Sequence, residues 1–230
     1  MVRVVSWNIE HGRDIEGAAE DLRTIDELFD ADVLLVQEVD GDAARVLGDL
    51  VGMDAAYLDA PAHRATGRQF GNAILSPWPI DEVTSIPMPF VASVGGHPRI
   101  ALGATIDVDG LPLRAYSIHV ETVLLSLSRR AAQVAAVAAH ASARPDLDVV
   151  IGGDFNTATS RSVAVFDRVM GDYGFDRLDD GAEPTFDRFG RSFRLDHLYG
   201  RGVETVSGGT ALDAATSDHQ PLWAMLRRTT

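Results

Sequence analysis

Short runs rich in β-branched residues alternate along the chain with segments of helical periodicity. Strands are predicted at residues 2–9, 33–36, 71–76, 100–108, 113–120, 148–151, 194–199 and 222–226. Helices are predicted at residues 15–29, 41–51 and 127–141, with a fourth that begins near Ser160. Asp14 and Ser160 are the expected N-caps of the first and fourth helices. In the third helix, Arg129, Arg130 and Gln133 are expected to face away from the apolar side.

The most informative strand ends in polar residues. Residues 148–156 read Asp-Val-Val-Ile-Gly-Gly-Asp-Phe-Asn, so that an apolar run stops at two glycines and is followed by Asp154 and Asn156. Side chains two positions apart project to the same side of an extended segment, and glycine lets a ligand approach the backbone closely. The alternative is that these two residues only cap the turn before the next helix.

Length and composition favour a single domain without disulfide bonds. The chain has 230 residues, of which 46% are hydrophobic, and no linker, repeat or like-charge block interrupts it, so residues 1–230 are interpreted as a single domain. Cysteine is absent, which excludes disulfides and thiolate metal sites. Any bound metal would therefore be held by oxygen atoms or imidazole.

Targeting signals and charge narrow the expectations further. The first residues read directly as a strand rather than a signal peptide, and no apolar run reaches the ~20 residues of a membrane span. We therefore expect a cytoplasmic monomer with no membrane span. The formal net charge of −14 disfavours broad binding to polyanions.

Other strands also end in residues that suit phosphate or metal chemistry. These residues are Asn8 and Glu10, Glu38, His119, Asp196, and Asp218 with His219. A carboxylate such as Glu38 at the end of a buried strand is costly unless a partner such as a cation offsets its charge. Each residue alone has an ordinary alternative, as a solvated strand end, a core histidine or a cap. Their joint occurrence favours a site. His11, His63, His97 and His140 lack such support and are interpreted as surface histidines.

Seven segments in order resemble the endonuclease/exonuclease/phosphatase superfamily of DNase I-like phosphohydrolases. They are Trp7-Asn8, Gln37-Glu38-Val39, Gly71-Asn72, Ser117-Ile118-His119, Gly152-Gly153-Asp154-Phe155-Asn156, Arg194-Leu195-Asp196 and Ser217-Asp218-His219. The resemblance spans residues 4–222. It implies a four-layer α/β/β/α sandwich, in which two mixed β-sheets pack face to face with helices outside. It also implies a site where strands of both sheets end.

The resemblance further implies roles for individual residues. Asn8, Glu38 and Asp218 would hold a divalent metal, expected to be Mg²⁺ with Mn²⁺ as the alternative, and Glu10 would add a ligand or a supporting contact. Asp154 would orient or deprotonate the attacking water. Asn156 and His119 would contact the phosphate, and Asp196 would pair with His219, which acts as a base or as a charged phosphate ligand. Asn72 and Arg194 are expected to contact the substrate.

Three substrate classes remain open at this point. A nucleic-acid substrate is favoured by the interleaved aromatic and basic residues Phe186, Arg188, Phe189, Arg191, Phe193 and Arg194, with Arg64, Arg68 and Arg99 as additions. Alternatively, these phenylalanines pack in the core and the arginines pair with Asp179, Asp180, Glu183 and Asp187. A phosphodiester or phosphomonoester of a lipid or small metabolite suits the acidic charge better, and a non-catalytic binding module or degenerate scaffold is the third alternative. We predict a divalent-metal phosphohydrolase, a phosphodiesterase of nucleic acid or of a small molecule.

Overall fold

A computed structural model describes residues 1–61, 70–93, 95–179, 181–188 and 190–229. In chain order the strands are β1 Val2–Asn8, β2 Val33–Val39, β3 Asp54–Asp59, β4 Gly71–Ser76, β5 Ile80–Pro87, β6 Ile100–Val108, β7 Leu111–His119, β8 Asp148–Asp154, β9 Asp176–Arg177, β10 Phe186–Arg188, β11 Arg191–Phe193, β12 Asp196–Arg201, β13 Val203–Thr210 and β14 Leu222–Arg228. The helices are α1 Ile15–Thr24, α2 Gly41–Val51, α3 Leu127–Ser142 and α4 Ser160–Asp172, and a 3₁₀ turn spans Glu10–Gly12.

Twelve of these strands form two six-stranded sheets. The first sheet has the order β13-β14-β1-β2-β4-β3 and the second β5-β6-β7-β8-β12-β9, while β10 and β11 form a separate hairpin. Each sheet is mixed: β1 pairs in parallel with β2, and β7 with β8, whereas the other pairs are antiparallel.

The alternation of side chains along the strands explains the layers. On β1 and β2, Val4 and Leu35 point into a core shared with Ala115 and Val150 of the second sheet. The intervening residues point outward on both sheets. On the first sheet they meet α1 and α2, and on the second α3 and α4. The predicted four-layer α/β/β/α sandwich is therefore confirmed.

The ends of two helices differ from the sequence prediction. Helix α1 stops at Thr24 instead of residue 29, and the Arg3 guanidinium holds the segment beyond it by donating to the backbone oxygens of Asp26 (2.9 Å) and Phe29. Thr159, not Ser160, caps α4: its hydroxyl accepts from the N–H of Ser162 at 3.1 Å, in a reciprocal capping box.

Helix α3 buries two polar residues that were expected to face away from the apolar side. Gln133 is fully buried and Arg130 is 6% exposed. Arg130 Nη1 donates to the backbone oxygen of Asn156 at 2.8 Å, and Gln133 Oε1 accepts from the N–H of Glu121 at 2.9 Å. Hydrogen bonds to the loops after β7 and β8 therefore take the place of hydrogen bonds to water for these two side chains.

Two glycines allow β8 to run between its neighbours up to the end of the sheet. A Cβ on Gly152 would lie 2.5 Å from a methyl group of Leu198 and 2.7 Å from one of Leu35, in the core between the sheets. Gly153 has φ +151°, and a Cβ there would lie 1.8 Å from the backbone oxygen of Ile118. The close approach of β7 and β8 at this point brings their final residues side by side.

No helix in the described part of the chain is long and apolar enough to cross a membrane.

Candidate active site

Three adjacent strands of the second sheet each bring one polar residue to the same place. Asp154 at the end of β8 is the register partner of His119 on β7 and of Asp196 on β12. The side chains of all three residues lie on the side of the sheet that faces the core between the sheets. Side chains two positions apart on a strand share one side, and Leu198, two residues after Asp196, belongs to that core. The apolar core thus gives way to carboxylates and an imidazole at one end of the sandwich.

The first sheet supplies Asn8 and Glu38 at the facing strand ends. Asn8 at the end of β1 is 2% exposed, and its Nδ2 donates to Asp154 Oδ2 at 3.2 Å. Glu38 occupies a β-bulge of β2 with φ +55°, which turns its carboxylate away from the regular strand pattern. His119 Nε2 lies 3.4 Å from Asp154 Oδ2 and 3.8 Å from Glu38 Oε1, so the imidazole faces both carboxylates.

His219 forms the predicted pair with Asp196. Its Nδ1 lies 2.8 Å from Asp196 Oδ2, and its Nε2 lies 3.8 Å from Asp154 Oδ2. The hydroxyl of the fully buried Thr185 donates to the same Asp196 oxygen at 2.6 Å and accepts the N–H groups of Leu195 and Asp196 at 3.0 and 3.1 Å. The orientation of Asp196, and through it that of the imidazole, is therefore set by a buried threonine.

Residues in the recognised motifs also connect the strand ends. Trp7 Nε1 donates to the backbone oxygen of His219 at 2.8 Å, and the Ser217 hydroxyl donates to that of Asn8 at 2.7 Å. Ser117 and Gln37 bridge the two sheets, with Gln37 Nε2 donating to Ser117 Oγ at 3.0 Å. The contacts of Trp7 and Ser217 hold the segment before β14 against β1.

Burial and charge change the protonation of the central residues. For His219, burial lowers the pKa, but the carboxylates of Asp196, Asp154 and Asp218 outweigh it and raise the pKa to about 10. Burial raises the pKa of Asp154 to about 7, with further contributions from Asp196 and Glu38 against the lowering effect of His219. The site thus pairs a protonated imidazole with a carboxylate that titrates near neutral pH.

A concentration of negative charge surrounds Glu38. Burial, Glu10 and Glu38 together raise the pKa of Asp218 against the lowering effect of His219. His11 Nε2 lies 3.2 Å from Glu38 Oε2, and its side chain is 43% exposed. Glu10 and His11 both have positive φ, 46° and 61°, in the turn after β1. A backbone held in this unfavourable region directs both side chains to the strand end.

These oxygens fit a hard cation held by few protein ligands. Across the described ranges, no group of three or more His, Asp or Glu side chains is arranged to hold a metal ion. Mg²⁺ usually binds one or two carboxylates and keeps several waters, so it does not require such a cage. Glu38 and the amide oxygen of Asn8, with Asp218 close enough for its pKa to respond to Glu38, match that requirement.

Asn156 lies at the edge of the cluster in a left-handed conformation, with φ 53°. Its N–H donates to Asp154 Oδ1 at 2.8 Å, and its Nδ2 donates to the backbone oxygen of Val120 at 2.9 Å. The second amide hydrogen of Asn156 is left for a ligand, because a carboxamide carries two. Arg130 of α3 holds the backbone at this residue, and this contact had no signal in the helical periodicity.

Two expected substrate contacts lie elsewhere. Asn72 is 2% exposed, and its Nδ2 donates to the backbone oxygens of Ile100 (2.9 Å) and Ser117 (3.0 Å), which links the two sheets. The side chain of Arg194 is 11% exposed and its Nη2 donates to Asp179 Oδ1 at 2.7 Å. The side chains of both residues are therefore held by hydrogen bonds within the protein. Neither makes a hydrogen bond to Asp154 or His219 among the described contacts.

Arg99 and His97 also differ from the expectations. Arg99 is 8% exposed and its Nη1 lies 3.0 Å from His119 Nδ1, so it is not a surface cation. His97 is 3% exposed and stacks on Phe70, whose ring also contacts His11. His63, Arg64, Arg68, Asp180 and Phe189 lie outside the described residues.

The hairpin of β10 and β11 lies against His219, the partner of Asp196. Phe186 is in contact with the His219 ring at a centroid distance of 4.7 Å and with Phe193 at 6.4 Å. Arg188 and Arg191 are exposed on this hairpin, and the charge of Arg188 acts on Asp218. The phenylalanines thus pack against the site, and exposed arginines stand at its edge.

The two facing mixed sheets with helices outside define a DNase I-like fold, and comparison with known proteins agrees. The sequence model of the Endonuclease/Exonuclease/phosphatase family matches residues 5–219, and the chain belongs to this family. No curated protein matches the chain by sequence.

Solved structures share the fold at low identity. An endonuclease/exonuclease/phosphatase from Beutenbergia cavernae is 23% identical with a TM-score of 0.78, over 99% of this chain and 71% of that one. A second, from Bacteroides vulgatus, is 17% identical with a TM-score of 0.78, over 99% and 98% of the two chains. The Bacteroides thetaiotaomicron mannosyl-6-phosphatase Bt3783 is 14% identical with a TM-score of 0.69, over 99% and 100%.

Proposed function

We propose that this protein is a divalent-metal-dependent hydrolase of phosphate esters, a phosphodiesterase that acts by in-line attack of water on a small soluble substrate. One observation carries the proposal: Asp154 lies within 3.8 Å of the His219 imidazole, which is itself paired with Asp196. A carboxylate beside a charged imidazole provides both a proton acceptor and a donor to a phosphoryl group.

Asp154 is the proposed base for the attacking water. A general base is most effective when its pKa is near the working pH, and the pKa of Asp154 is raised to about 7. Asn8 Nδ2 and the N–H of Asn156 each donate to one of its oxygens, which fixes the carboxylate. Water attacks phosphorus, its proton passes to Asp154, and the bond from phosphorus to the leaving oxygen breaks.

His219 is the proposed charged donor to a phosphoryl oxygen. Asp196 and the neighbouring carboxylates raise its pKa to about 10, which favours the protonated imidazole at neutral pH and therefore the role of donor over that of base. The Nδ1–H of His219 donates a hydrogen bond to Asp196. The Nε2–H therefore points toward Asp154 and the reacting group. His119 Nε2 and the second amide hydrogen of Asn156 are the proposed further donors.

Glu38 and Asn8, supported by Asp218, are the proposed ligands of Mg²⁺, with Mn²⁺ as the alternative. A bound divalent cation would neutralise charge on the phosphoryl and leaving oxygens. Burial is the main cause of the raised pKa of Asp218, and the charges of Glu10 and Glu38 raise it further; a cation would relieve this repulsion, which supports the assignment.

Charge favours a small substrate over a nucleic-acid duplex. Of the arginines considered for nucleic-acid binding, Arg99 is buried and Arg194 is paired with Asp179. The formal net charge of −14 opposes the approach of a long polyanion. Phe186 beside His219 provides an apolar surface for the leaving group. Since one fold neighbour is named as a mannosyl-6-phosphatase, a phosphomonoester belongs in the test.

The test compares bis(p-nitrophenyl) phosphate, p-nitrophenyl phosphate and a labelled abasic-site duplex, each with Mg²⁺, with Mn²⁺ and with chelator. We expect chelator-sensitive hydrolysis of the small diester by the wild type and its loss in Asp154→Asn. Cleavage of the duplex alone would replace the small-molecule proposal by a nuclease. If no substrate were cleaved and both proteins behaved identically, the non-catalytic scaffold would be the better interpretation.

A further inference from the structure

We propose that Arg99 is a positioning residue that fixes the tautomer of His119, so that this imidazole is a neutral hydrogen-bond donor through Nε2. The tautomer follows from contacts within the protein. Only its use, donation to a phosphoryl oxygen, rests on the proposed function.

The contact between the two residues determines which nitrogen carries the proton. Arg99 Nη1 lies 3.0 Å from His119 Nδ1, and the two residues are 8% and 4% exposed. A guanidinium has only donors and does not lose its proton in a protein. Nδ1 must therefore be the acceptor, and a neutral imidazole with a bare Nδ1 carries its hydrogen on Nε2.

The other side of the ring agrees with this tautomer. Nε2 faces two carboxylate oxygens, Asp154 Oδ2 at 3.4 Å and Glu38 Oε1 at 3.8 Å. An N–H group facing two acceptors is favourable, whereas the opposite tautomer would turn a lone pair toward the carboxylates and an N–H toward the guanidinium. The contacts of Nδ1 and those of Nε2 thus both favour the tautomer with the hydrogen on Nε2.

A buried carboxylate holds Arg99 in place. Glu121 is 1% exposed, and its Oε1 lies 3.7 Å from Arg99 Nη2. The N–H groups of His97 and Thr122 donate to the two oxygens of Glu121 at 2.8 and 2.9 Å, which fixes the carboxylate. Glu121, Arg99 and His119 therefore form a row that leads from the loop after β7 to the strand ends.

This row affects how His119 would bind phosphate. The guanidinium polarises the imidazole from behind, which strengthens the Nε2–H donor without placing a second full charge beside His219. A phosphoryl oxygen next to Nε2 would accept that hydrogen, while Nδ1 remains occupied by Arg99. His119 would then donate throughout the reaction and would not transfer a proton.

The first experiment measures the tautomer directly. The imidazole ¹⁵N and ¹³C resonances of isotopically labelled protein distinguish Nε2–H, Nδ1–H and imidazolium forms, and comparison with His119→Gln assigns the His119 signals. We expect the Nε2–H form in the wild type. Observation of the Nδ1–H or imidazolium form would overturn the proposal, whatever the activity of the protein.

Variants then test whether Arg99 is the cause. Arg99→Lys retains a donor and should keep the Nε2–H form. Arg99→Met would leave Glu121 buried and unpaired, so it is combined with Glu121→Gln to remove the charge. We expect this double variant to show a mixture of tautomers. The matched control is Arg114→Met, which removes another buried arginine, on β7, whose contacts are with Tyr116, Glu82 and Thr105, and it should leave the His119 signals unchanged.

Kinetics separate this role from a general loss of stability. With the hydrolysed diester, Arg99→Met/Glu121→Gln should lower kcat by roughly 10- to 100-fold with little change in KM, because the donor acts on the developing charge. In a His119→Gln background the same changes should have no further effect on kcat. A tautomer that is unchanged in the double variant, or an equal kcat loss in both backgrounds, would overturn the role of Arg99. If the wild type had no phosphoesterase activity, the proposed function would be wrong. The tautomer assignment would then be decided by the NMR spectra alone.

Discussion

Asp154 and Asp196 are direct register partners on neighbouring antiparallel strands, and His219 lies against both, with Nδ1 2.8 Å from Asp196 and Nε2 3.8 Å from Asp154. Two carboxylates this close would repel each other strongly without a cation between them. The imidazolium of His219 supplies that cation from a segment outside the sheet. The register of the sheet thus fixes the positions of the two carboxylates, and the segment before β14 supplies the imidazole that lies against both.

The first prediction concerns the proposed base. Asp154→Asn keeps the size of the side chain but removes the proton acceptor, so kcat should fall by roughly 10²- to 10⁴-fold. The melting temperature should fall slightly, because both oxygens of Asp154 accept hydrogen bonds, from Asn8 Nδ2 and from the N–H of Asn156, and the amide nitrogen of the variant would face one of these donors. Steady-state kinetics with bis(p-nitrophenyl) phosphate and a melting curve check both parts. A variant with wild-type kcat would exclude Asp154 as the base.

The second prediction concerns Thr185, which orients Asp196. Thr185→Val removes the hydroxyl that donates to Asp196 at 2.6 Å and accepts from two N–H groups. We expect a kcat loss of about 10-fold and a lower free energy of unfolding by about 1–3 kcal/mol, because buried polar groups lose their partner. Thr185→Ser keeps the hydroxyl and is the control. Equal activity of the valine and serine variants would show that Asp196 is oriented without Thr185.

The third prediction concerns the metal. Glu38→Gln removes the charge of the proposed ligand, so half-maximal activity should require at least about 10-fold more Mg²⁺. The measurement is a titration of activity with MgCl₂ at saturating substrate. Glu20→Gln is the control, because Glu20 lies on the surface of α1 and pairs with Arg23. An unchanged Mg²⁺ requirement in Glu38→Gln would assign the metal to other residues.

Local patterns predicted eight of the fourteen strands in the described ranges and the polar residues at several strand ends, whereas the four layers were implied by the resemblance to the family. The predicted strands at 100–108 and 113–120 form a hairpin in which Asp109 and Gly110 both have the positive φ that such a turn requires, 52° and 79°. Polar residues at the ends of apolar runs indicated Asp154, His119 and Glu38, because a buried strand has few reasons to end in a carboxylate.

The contacts that support the site could not be predicted in the same way. Arg130 and Gln133 were placed on the polar side of α3 because periodicity records hydrophobicity, whereas both are buried by partners in loops distant in sequence. Arg99 was considered only for nucleic-acid binding, because its contact with His119 joins residues 20 positions apart. Thr185 carries no local signal, since its function depends on the register of β12 with a segment about ten residues earlier.

The fourth prediction concerns Gly153. Its φ is +151°, and a Cβ at this position would lie only 1.8 Å from the Ile118 backbone oxygen, which leaves no space for alanine unless β7 moves and shifts His119. Gly153→Ala should therefore lower the melting temperature markedly and abolish activity. Gly171→Ala in α4 is the control, because nothing lies within 4 Å of its Cβ position; it should stabilise the protein by up to about 1 kcal/mol. A soluble Gly153→Ala protein with the wild-type melting temperature would contradict this explanation of the β8 end.

The last prediction concerns Asp179 and the stability of the fold at low pH. Burial alone would raise the pKa of Asp179, but His197, Arg194 and Arg177 outweigh it and hold the pKa well below its usual range. A depressed carboxylate pKa contributes stability that is fully present above the unfolded pKa of about 3.9 and is lost as the pH falls toward the folded pKa. Asp179→Asn should therefore lower the free energy of unfolding by about 3 kcal/mol at pH 7, because two partly buried arginines, Arg177 and Arg194, each lose a carboxylate partner. The difference in free energy of unfolding between the wild type and the variant, measured by urea unfolding, should shrink below about pH 4.

The control for Asp179 is Asp49→Asn, which removes an exposed pair with Arg45. It should change the free energy of unfolding by less than about 0.5 kcal/mol at either pH. A wild-type advantage that stayed constant down to the lowest pH at which the protein folds would show that Asp179 stabilises the fold by packing and not by its charge.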